Sequence, residues 1–210
     1  MEKHELVDIN GNKTGKILTH VEARDINNVP NGCYISVVGV VIINENDEIL
    51  LQKRSRFKRA NPSKWGICGG KVDLGETPLE AGIRETLEEI GIFLNKEELK
   101  FLSMDTNEKS HFTVYYVRKS IDINECKLQE EELEQVKYFK IEDLEDLEDL
   151  DNEGFEWIEK LKKIIREEEK QSMLENFESI SPVSYTHLIQ LNLERIERNT
   201  MTCLDFYSFL

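Results

Sequence analysis

The apolar residues of this chain fall first into short runs divided by turn signals and only later into helical stripes. Residues 5–9 and 14–19 flank Asn10-Gly11, a dipeptide suited to the positive φ of a tight hairpin turn, so a small N-terminal hairpin lying over the core is expected. The loop 24–32, with Asn27, Asn28, Pro30, Asn31 and Gly32, ends that pattern. Residues 34–43 then form a nearly continuous apolar run, as a strand buried on both faces does, and a turn over 44–47 brings the chain back as a second strand over 48–53. Further strands are expected over 100–104, over 111–118 with Phe112, Val114 and Tyr116 on one side, and over 136–141.

A helix over 78–90 is marked at both ends. Thr77, Pro78 and Glu80 supply an N-cap, a first-turn proline and a capping-box acid, and Gly91 supplies the stop. At about 100° per residue, Leu79, Ile83, Leu87 and Ile90 fall on one side. Glu85, Glu88 and Glu89 fall nearly opposite, with the small Ala81 and Gly82 leaving space beside them. One face is expected to pack and the other to bind. From residue 142, Leu144, Leu147 and Leu150 recur at threes, and Phe155, Ile158, Leu161, Ile164 and Ile165 continue a stripe that reads as C-terminal helices capping a sheet.

Length suits one domain of about 150 residues plus a tail. With 42 acidic and 27 basic residues the net charge is −15, which argues against nonspecific binding to DNA, RNA or an anionic membrane. Cys33, Cys68, Cys126 and Cys203 are too scattered for a zinc or redox motif and read as buried or idle thiols. Neither a signal peptide nor an apolar run of about 18 residues is present, and a cytoplasmic location is expected.

The carboxylates carry the candidate chemistry. Glu85, Glu88 and Glu89 stand at i, i+3 and i+4, where each like-charge pair costs about 0.2–0.5 kcal/mol on an exposed helix, and a bound cation offsets that cost. Hard oxygen ligands select Mg²⁺, or Mn²⁺ in its place. Just upstream, the glycines of Gly69-Gly70-Lys71-Val72-Asp73-Leu74-Gly75-Glu76 allow a tight turn that brings backbone groups close to metal and phosphate. The concentrated cationic stretch 53–59 feeds into that loop, so Arg54, Lys58 and the loop's own Lys71 are taken as phosphate contacts. Trp65 suits a base stack or the core equally, and His111, with no ligand-spaced partner, reads as structural.

The spacing Gly70, five residues, Glu76, seven residues, then Arg84-Glu85-Thr86-Leu87-Glu88-Glu89-Ile90-Gly91-Ile92 resembles the Nudix box. That motif marks hydrolases acting on a nucleoside diphosphate linked to another moiety. The one departure is Thr86, where the family prefers an aliphatic residue; it is expected at the edge of the packing face, with a small packing cost.

The resemblance implies an α/β fold: an α/β/α sandwich with a mixed β-sheet, the N-terminal hairpin and connector over 1–32, the hydrolase domain over 33–176, and a tail over 177–210. It also implies a metal site made of the Gly70 carbonyl, Glu85, Glu88 and Glu89, with Mg²⁺ or Mn²⁺ bound and water attacking a phosphoanhydride. Glu85 or a downstream acid, Glu131 or Glu132, is then the expected base, Arg84 holds the carboxylates, and Glu76 braces the loop. The partner is a nucleotide-type small molecule, and homodimers are common in the family.

The opening Leu-Val-Asp-Ile-Asn-Gly-Asn-Lys-Thr-Gly is similar to Nudix proteins related to isopentenyl-diphosphate isomerase. An isomerase requires a Cys-Gly-His that would fall on Gly69, Gly70 and Lys71, and Cys68 is out of step by one. A noncatalytic nucleotide-sensing module is a further alternative, although such modules commonly carry damaged boxes. The downstream proline associated with ADP-ribose hydrolases is missing. Finally, Val183-Ser184-Tyr185-Thr186-His187-Leu188 resembles a reading frame of a transposon end used in sequencing libraries, so residues 183–210 are expected to be non-native.

Overall fold

The computed structural model describes residues 2–151 and 156–178. The chain divides into one unit over residues 1–157 and a second that begins at Ile158. The expected non-native segment 183–210 lies outside the described residues, as do Phe155 and Cys203.

Strands Lys3–Val7 (β1) and Lys13–Thr19 (β2) form the expected hairpin around Gly11. It does not lie over the core. Leu6 and Val7 pair with Ile35 and Tyr34, so the hairpin extends the sheet, and Leu6 is fully buried among Ala23, Val29, Cys33 and Ile35. Strand β3, Tyr34–Ile43, is the spine of the sheet and matches the predicted apolar run. Glu48–Arg54 (β4) follows, then the short Trp65–Gly66 (β5) and Cys68–Lys71 (β6). The helix Pro78–Ile90 (α1) leads to Lys100–Asn107 (β7), Ser110–Arg118 (β8) and Leu133–Lys140 (β9).

One edge of β3 is taken along its whole length by the parallel β8. The other edge is shared: β1 takes its start, β6 its middle and β4 its end, all antiparallel. After Ile42 and Ile43, β4 leaves β3 and continues against β9 and β5. The sheet is therefore mixed, and β6 delivers the glycine loop at the place where β3 and β4 part. Trp65 settles in the core, 7% exposed, with its ring edge-on to Phe139 at 4.9 Å.

Helix α1 begins and ends where its capping residues predict. Thr77 Oγ1 accepts from the Glu80 N–H at 3.3 Å, Glu80 Oε2 accepts from the Thr77 N–H at 2.9 Å, and Gly91 closes the helix at φ 75°. Its rotation differs from the hydrophobic pattern. Ala81, Gly82, Thr86, Glu89 and Ile90 are the buried residues, while Leu87 is 46% exposed and Leu79 and Ile83 are only partly buried.

Close approach at Gly82 explains the turn of the helix. A Cβ there would lie 2.9 Å from Val40 Cγ2, so the small residues form the docking seam, and Thr86 and Glu89, one and two turns on, are carried inward. Thr86 is fully buried rather than at the edge; its hydroxyl donates to the Gly82 carbonyl at 2.8 Å, which keeps the polar atom satisfied.

Residues 142–150 are not an α-helix. Ile141–Leu144 is a 3-10 turn followed by further turns, and leucines at threes suit three residues per turn better than 3.6. Leu144 and Leu150 are buried all the same. The helix Glu156–Glu178 (α2) buries Ile158, Leu161, Ile165 and Met173, most of them on the expected stripe. No helix among the described residues is long and apolar enough to cross a membrane.

Candidate active site

Strand β6 turns through residues 72–77 into α1, which sets Gly70 directly against Glu85. A Cβ on Gly70 would collide with that carboxylate. Arg84 ties this loop to the helix. Its Nε donates to Glu76 Oε1 at 2.8 Å and its Nη2 to Glu76 Oε2 at 3.0 Å, a two-pronged contact, while Nη2 also donates to the Lys71 carbonyl at 3.2 Å. Nη1 reaches the other way, donating to Glu85 Oε1 at 2.9 Å and to Glu88 Oε2 at 3.1 Å.

The Arg84 hydrogen bond is the main reason that Glu76 is held below the ordinary carboxylate range. Glu85 goes the opposite way, because burial raises it by more than Arg84 lowers it.

Glu89 stands apart from that fork. It is 5% exposed, and its Oε2 accepts from Gln52 Nε2 at 2.7 Å and from the Gly69 N–H at 2.9 Å. Burial pushes its carboxyl up to about 7, against the pull of these two donors. The three helix carboxylates therefore occupy three settings: Glu88 exposed, Glu85 half-buried, Glu89 buried.

Among the described residues no three His, Cys, Asp or Glu side chains are gathered to hold a metal. The donor set nevertheless suits a hard divalent cation, being carboxylates and a glycine carbonyl. The Arg84 guanidinium already puts positive charge between Glu85 and Glu88, where such an ion would act.

The cations separate likewise. Arg54, at the end of β4, donates through Nε to the Ala60 carbonyl at 3.3 Å, and its charge favours the ionised form of Glu89. Lys58 is ion-paired with Glu132, so an expected phosphate contact and an expected downstream acid occupy each other. Glu131 is exposed. Lys71 is half-buried with no ion-pair partner among the described residues. Burial lowers its pKa first, then Arg24, with Arg54 and Lys58 adding to the effect and Glu85 opposing it.

Arg24 and Gln52 were not singled out by sequence reasoning. Arg24 ends a 3-10 turn beyond the hairpin and reaches this region only because the hairpin joins the sheet. Gln52 did leave a signal: it is a polar residue, 2% exposed, directly after the apolar Ile49-Leu50-Leu51.

The hairpin also braces the glycine loop. His4, 2% exposed, donates through Nδ1 to the Val72 carbonyl at 3.0 Å, and the Leu74 N–H donates to the Lys3 carbonyl at 2.7 Å. His111 is 3% exposed beneath Gly11, and its buried Nε2 has no hydrogen-bond partner among the described residues.

The NUDIX domain model matches residues 34–161. An uncharacterized Nudix hydrolase of Listeria monocytogenes is 29% identical over 139 residues, which is 66% of this chain and 79% of that protein. The 8-oxo-dGTP diphosphatase of Escherichia coli is 42% identical over 52 residues, 25% of this chain and 40% of that protein.

Among solved structures, the MutT protein of Methanosarcina mazei aligns with a TM-score of 0.52 at 26% identity, covering 62% of this chain and 94% of that one. DR0079 of Deinococcus radiodurans aligns with a TM-score of 0.61 at 20% identity, covering 76% and 99%, a likeness of fold. The chain belongs to the Nudix family and is a Nudix hydrolase, with the mixed sheet and helices of the Nudix α/β/α sandwich.

Proposed function

We propose that this protein hydrolyses a phosphoanhydride bond in a nucleoside diphosphate linked to another moiety, with Mg²⁺ or Mn²⁺ as cofactor. The observation that carries the reading is the Arg84 fork, which holds Glu76, Glu85 and Glu88 beside the glycine loop, with Lys71, which has no ion-pair partner among the described residues, next to them. A chain of net charge −15 keeps a half-buried cation there to meet an anion.

The Gly70 carbonyl, Glu85, Glu88 and Glu89 would hold the cofactor, which when bound neutralises phosphate charge and makes a coordinated water more acidic. Glu85, whose carboxyl is raised from its ordinary value by burial, accepts the proton of the attacking water. The water oxygen bonds to phosphorus, the bridging P–O bond breaks, and the released phosphate oxygen carries away the electron pair. Arg84 keeps the carboxylates in place throughout. Lys71 and Arg54 receive phosphate oxygens, and Lys58 does so on exchanging Glu132 for substrate.

The named relatives act on phosphoanhydride nucleotides of different kinds: 8-oxo-dGTP for the Escherichia coli protein and m7GpppN-mRNA for a zebrafish relative 31% identical over 96 residues. Both contain a nucleoside diphosphate linked onward through a phosphoanhydride, and that is the substrate class proposed. The isomerase alternative is set aside on Cys68, which is 2% exposed, bonded to Gln52, and pushed well above the usual thiol range by burial.

The test is release of phosphate or pyrophosphate from a panel of nucleotides and nucleotide conjugates with Mg²⁺ or Mn²⁺, beside Glu88→Gln and Glu89→Gln. Turnover lost in both variants is expected. Binding of panel members without turnover would favour a sensing module instead.

A further inference from the structure

Cys68, Gln52 and Glu89 form a buried line of side chains contributed by β6, β4 and α1, at 2%, 2% and 5% exposure. Cys68 Sγ donates to Gln52 Oε1 at 3.4 Å, and Gln52 Nε2 donates to Glu89 Oε2 at 2.7 Å. The same Nε2 lies 3.4 Å from the Ile67 carbonyl, and the Gly69 N–H donates to the same Glu89 Oε2 at 2.9 Å.

Each contact restricts the next. A glutamine amide has a donor end and an acceptor end, and either can face a neighbour. Turned over, the Gln52 amide would set its oxygen against the Glu89 carboxylate and the Ile67 carbonyl, and its NH₂ against a sulfur, a weak acceptor. The thiol on one side and two oxygen acceptors on the other select a single orientation. Both donors to Glu89 then converge on Oε2, and Oε1 accepts no hydrogen bond from the described residues. A carboxylate torsion is otherwise broad and nearly two-fold. Two donors on one oxygen remove that freedom.

We propose that Gln52, itself oriented by the Cys68 thiol, is a positioning residue for Glu89, fixing Oε2 and presenting Oε1 as the atom offered to a divalent cation. The inference rests on the metal-dependent reading of the site. It differs from a merely structural hydrogen bond between β4 and α1, which would affect stability alone.

The full-length protein is tested as wild type, Gln52→Met, Cys68→Ala and Cys68→Ser. Mn²⁺ affinity is measured by electron paramagnetic resonance of the free ion, kcat and KM are measured on the best panel substrate, and folding is checked by thermal unfolding. Partners that orient a metal ligand typically contribute 10–100-fold in affinity or activity. Gln52→Met, which keeps the length and loses the donor, is therefore expected to weaken Mn²⁺ binding about tenfold or more and to lower kcat with KM little changed.

Cys68→Ala is expected to lose less, and Cys68→Ser, which keeps a donor, to restore what Cys68→Ala loses. A cooperatively folded Gln52→Met protein with wild-type Mn²⁺ affinity and kcat would overturn the inference. A wild-type protein that binds no Mn²⁺ would instead sink the metal reading. The fixed amide is then judged by nuclear magnetic resonance: a single Gln52 Nε2 nitrogen resonance with exchange-protected protons, split into two nitrogen resonances in Cys68→Ala, upholds it, and two such nitrogen resonances in the wild type refute it.

Discussion

Glu88 and Glu89 are the same residue one step apart on α1, and the fold gives them opposite surroundings. The Glu88 side chain is 53% exposed and meets a full positive charge on Arg84. Glu89 is 5% exposed and meets two neutral donors, the Gln52 amide and the Gly69 N–H. About 100° of helix rotation separates them. The difference teaches that a run of acids is not one ligand set but a series of environments, each imposed by what the opposite surface brings. Glu88 is ready to exchange a partner in water, whereas Glu89 bears a desolvation cost whenever it is ionised.

The largest effect that sharpens this contrast is in the stability of the metal-free protein. Glu89 moves from an ordinary value of 4.5 in the unfolded chain to about 7 in the fold, so folding favours its protonated form. Its favourable contribution is therefore present below about pH 4.5 and lost as pH rises through about 7, a swing of about 3 kcal/mol. Glu89→Gln removes the buried charge. In the presence of a chelator it is expected to raise Tm at pH 8 by roughly 6–12 °C, with the gap closing toward pH 4.5. Glu88→Gln should change Tm very little, since an exposed ion pair contributes about 0–1 kcal/mol. Equal thermal shifts for the two variants would erase the distinction.

The next effect is on turnover. Arg84 joins four groups, Glu76, Glu85, Glu88 and the Lys71 carbonyl, through one planar fork. Arg84→Ala is expected to lower kcat about 10–100-fold, as loss of a ligand-orienting partner does. Arg84→Lys should not restore it, because a single ammonium cannot span both directions of the fork. Steady-state kinetics on the two variants checks this, and full activity in Arg84→Lys would show that charge alone suffices.

How much of this was legible in the chain depends on the range of the forces involved. The ends of α1 were legible because capping is local: Thr77, Glu80 and Gly91 act within one turn. The spine strand was legible because burial on both faces leaves an unbroken apolar run. The rotation of α1 was not, since it is set by Gly82 against Val40, some forty residues upstream in the chain. Leu87 was expected on the packing face and is exposed, while Glu89 was expected on the binding face opposite and is buried. Glu76, Glu85 and Glu88 gather on Arg84, with Gly70 against Glu85, whereas Glu89 turns away to Gln52 and Gly69. Their neighbours Gln52, Cys68 and Arg24 come from other strands and turns, and no local pattern ties them to the helix.

The smallest predicted effect carries the comparison over to the cations. Lys58 and Lys71 were both expected to meet phosphate, yet Lys58 is already answered by Glu132, and Lys71 is half-buried without an ion-pair partner among the described residues. Substrate must displace a carboxylate to use Lys58, which returns little net energy. At Lys71 it relieves the repulsion that Arg24, Arg54 and Lys58 exert on a partly desolvated ammonium. A charge-assisted hydrogen bond of about 1.5 kcal/mol corresponds to roughly tenfold in affinity, so Lys71→Met is expected to raise KM by about that factor. Lys58→Met should raise it by less than about fivefold, because the energy of meeting phosphate is offset by the loss of Glu132. KM values for the two variants at low and moderate salt decide the matter: a larger rise for Lys58→Met would mean that Glu132 releases its partner freely and that the paired cation, not Lys71, holds the phosphate.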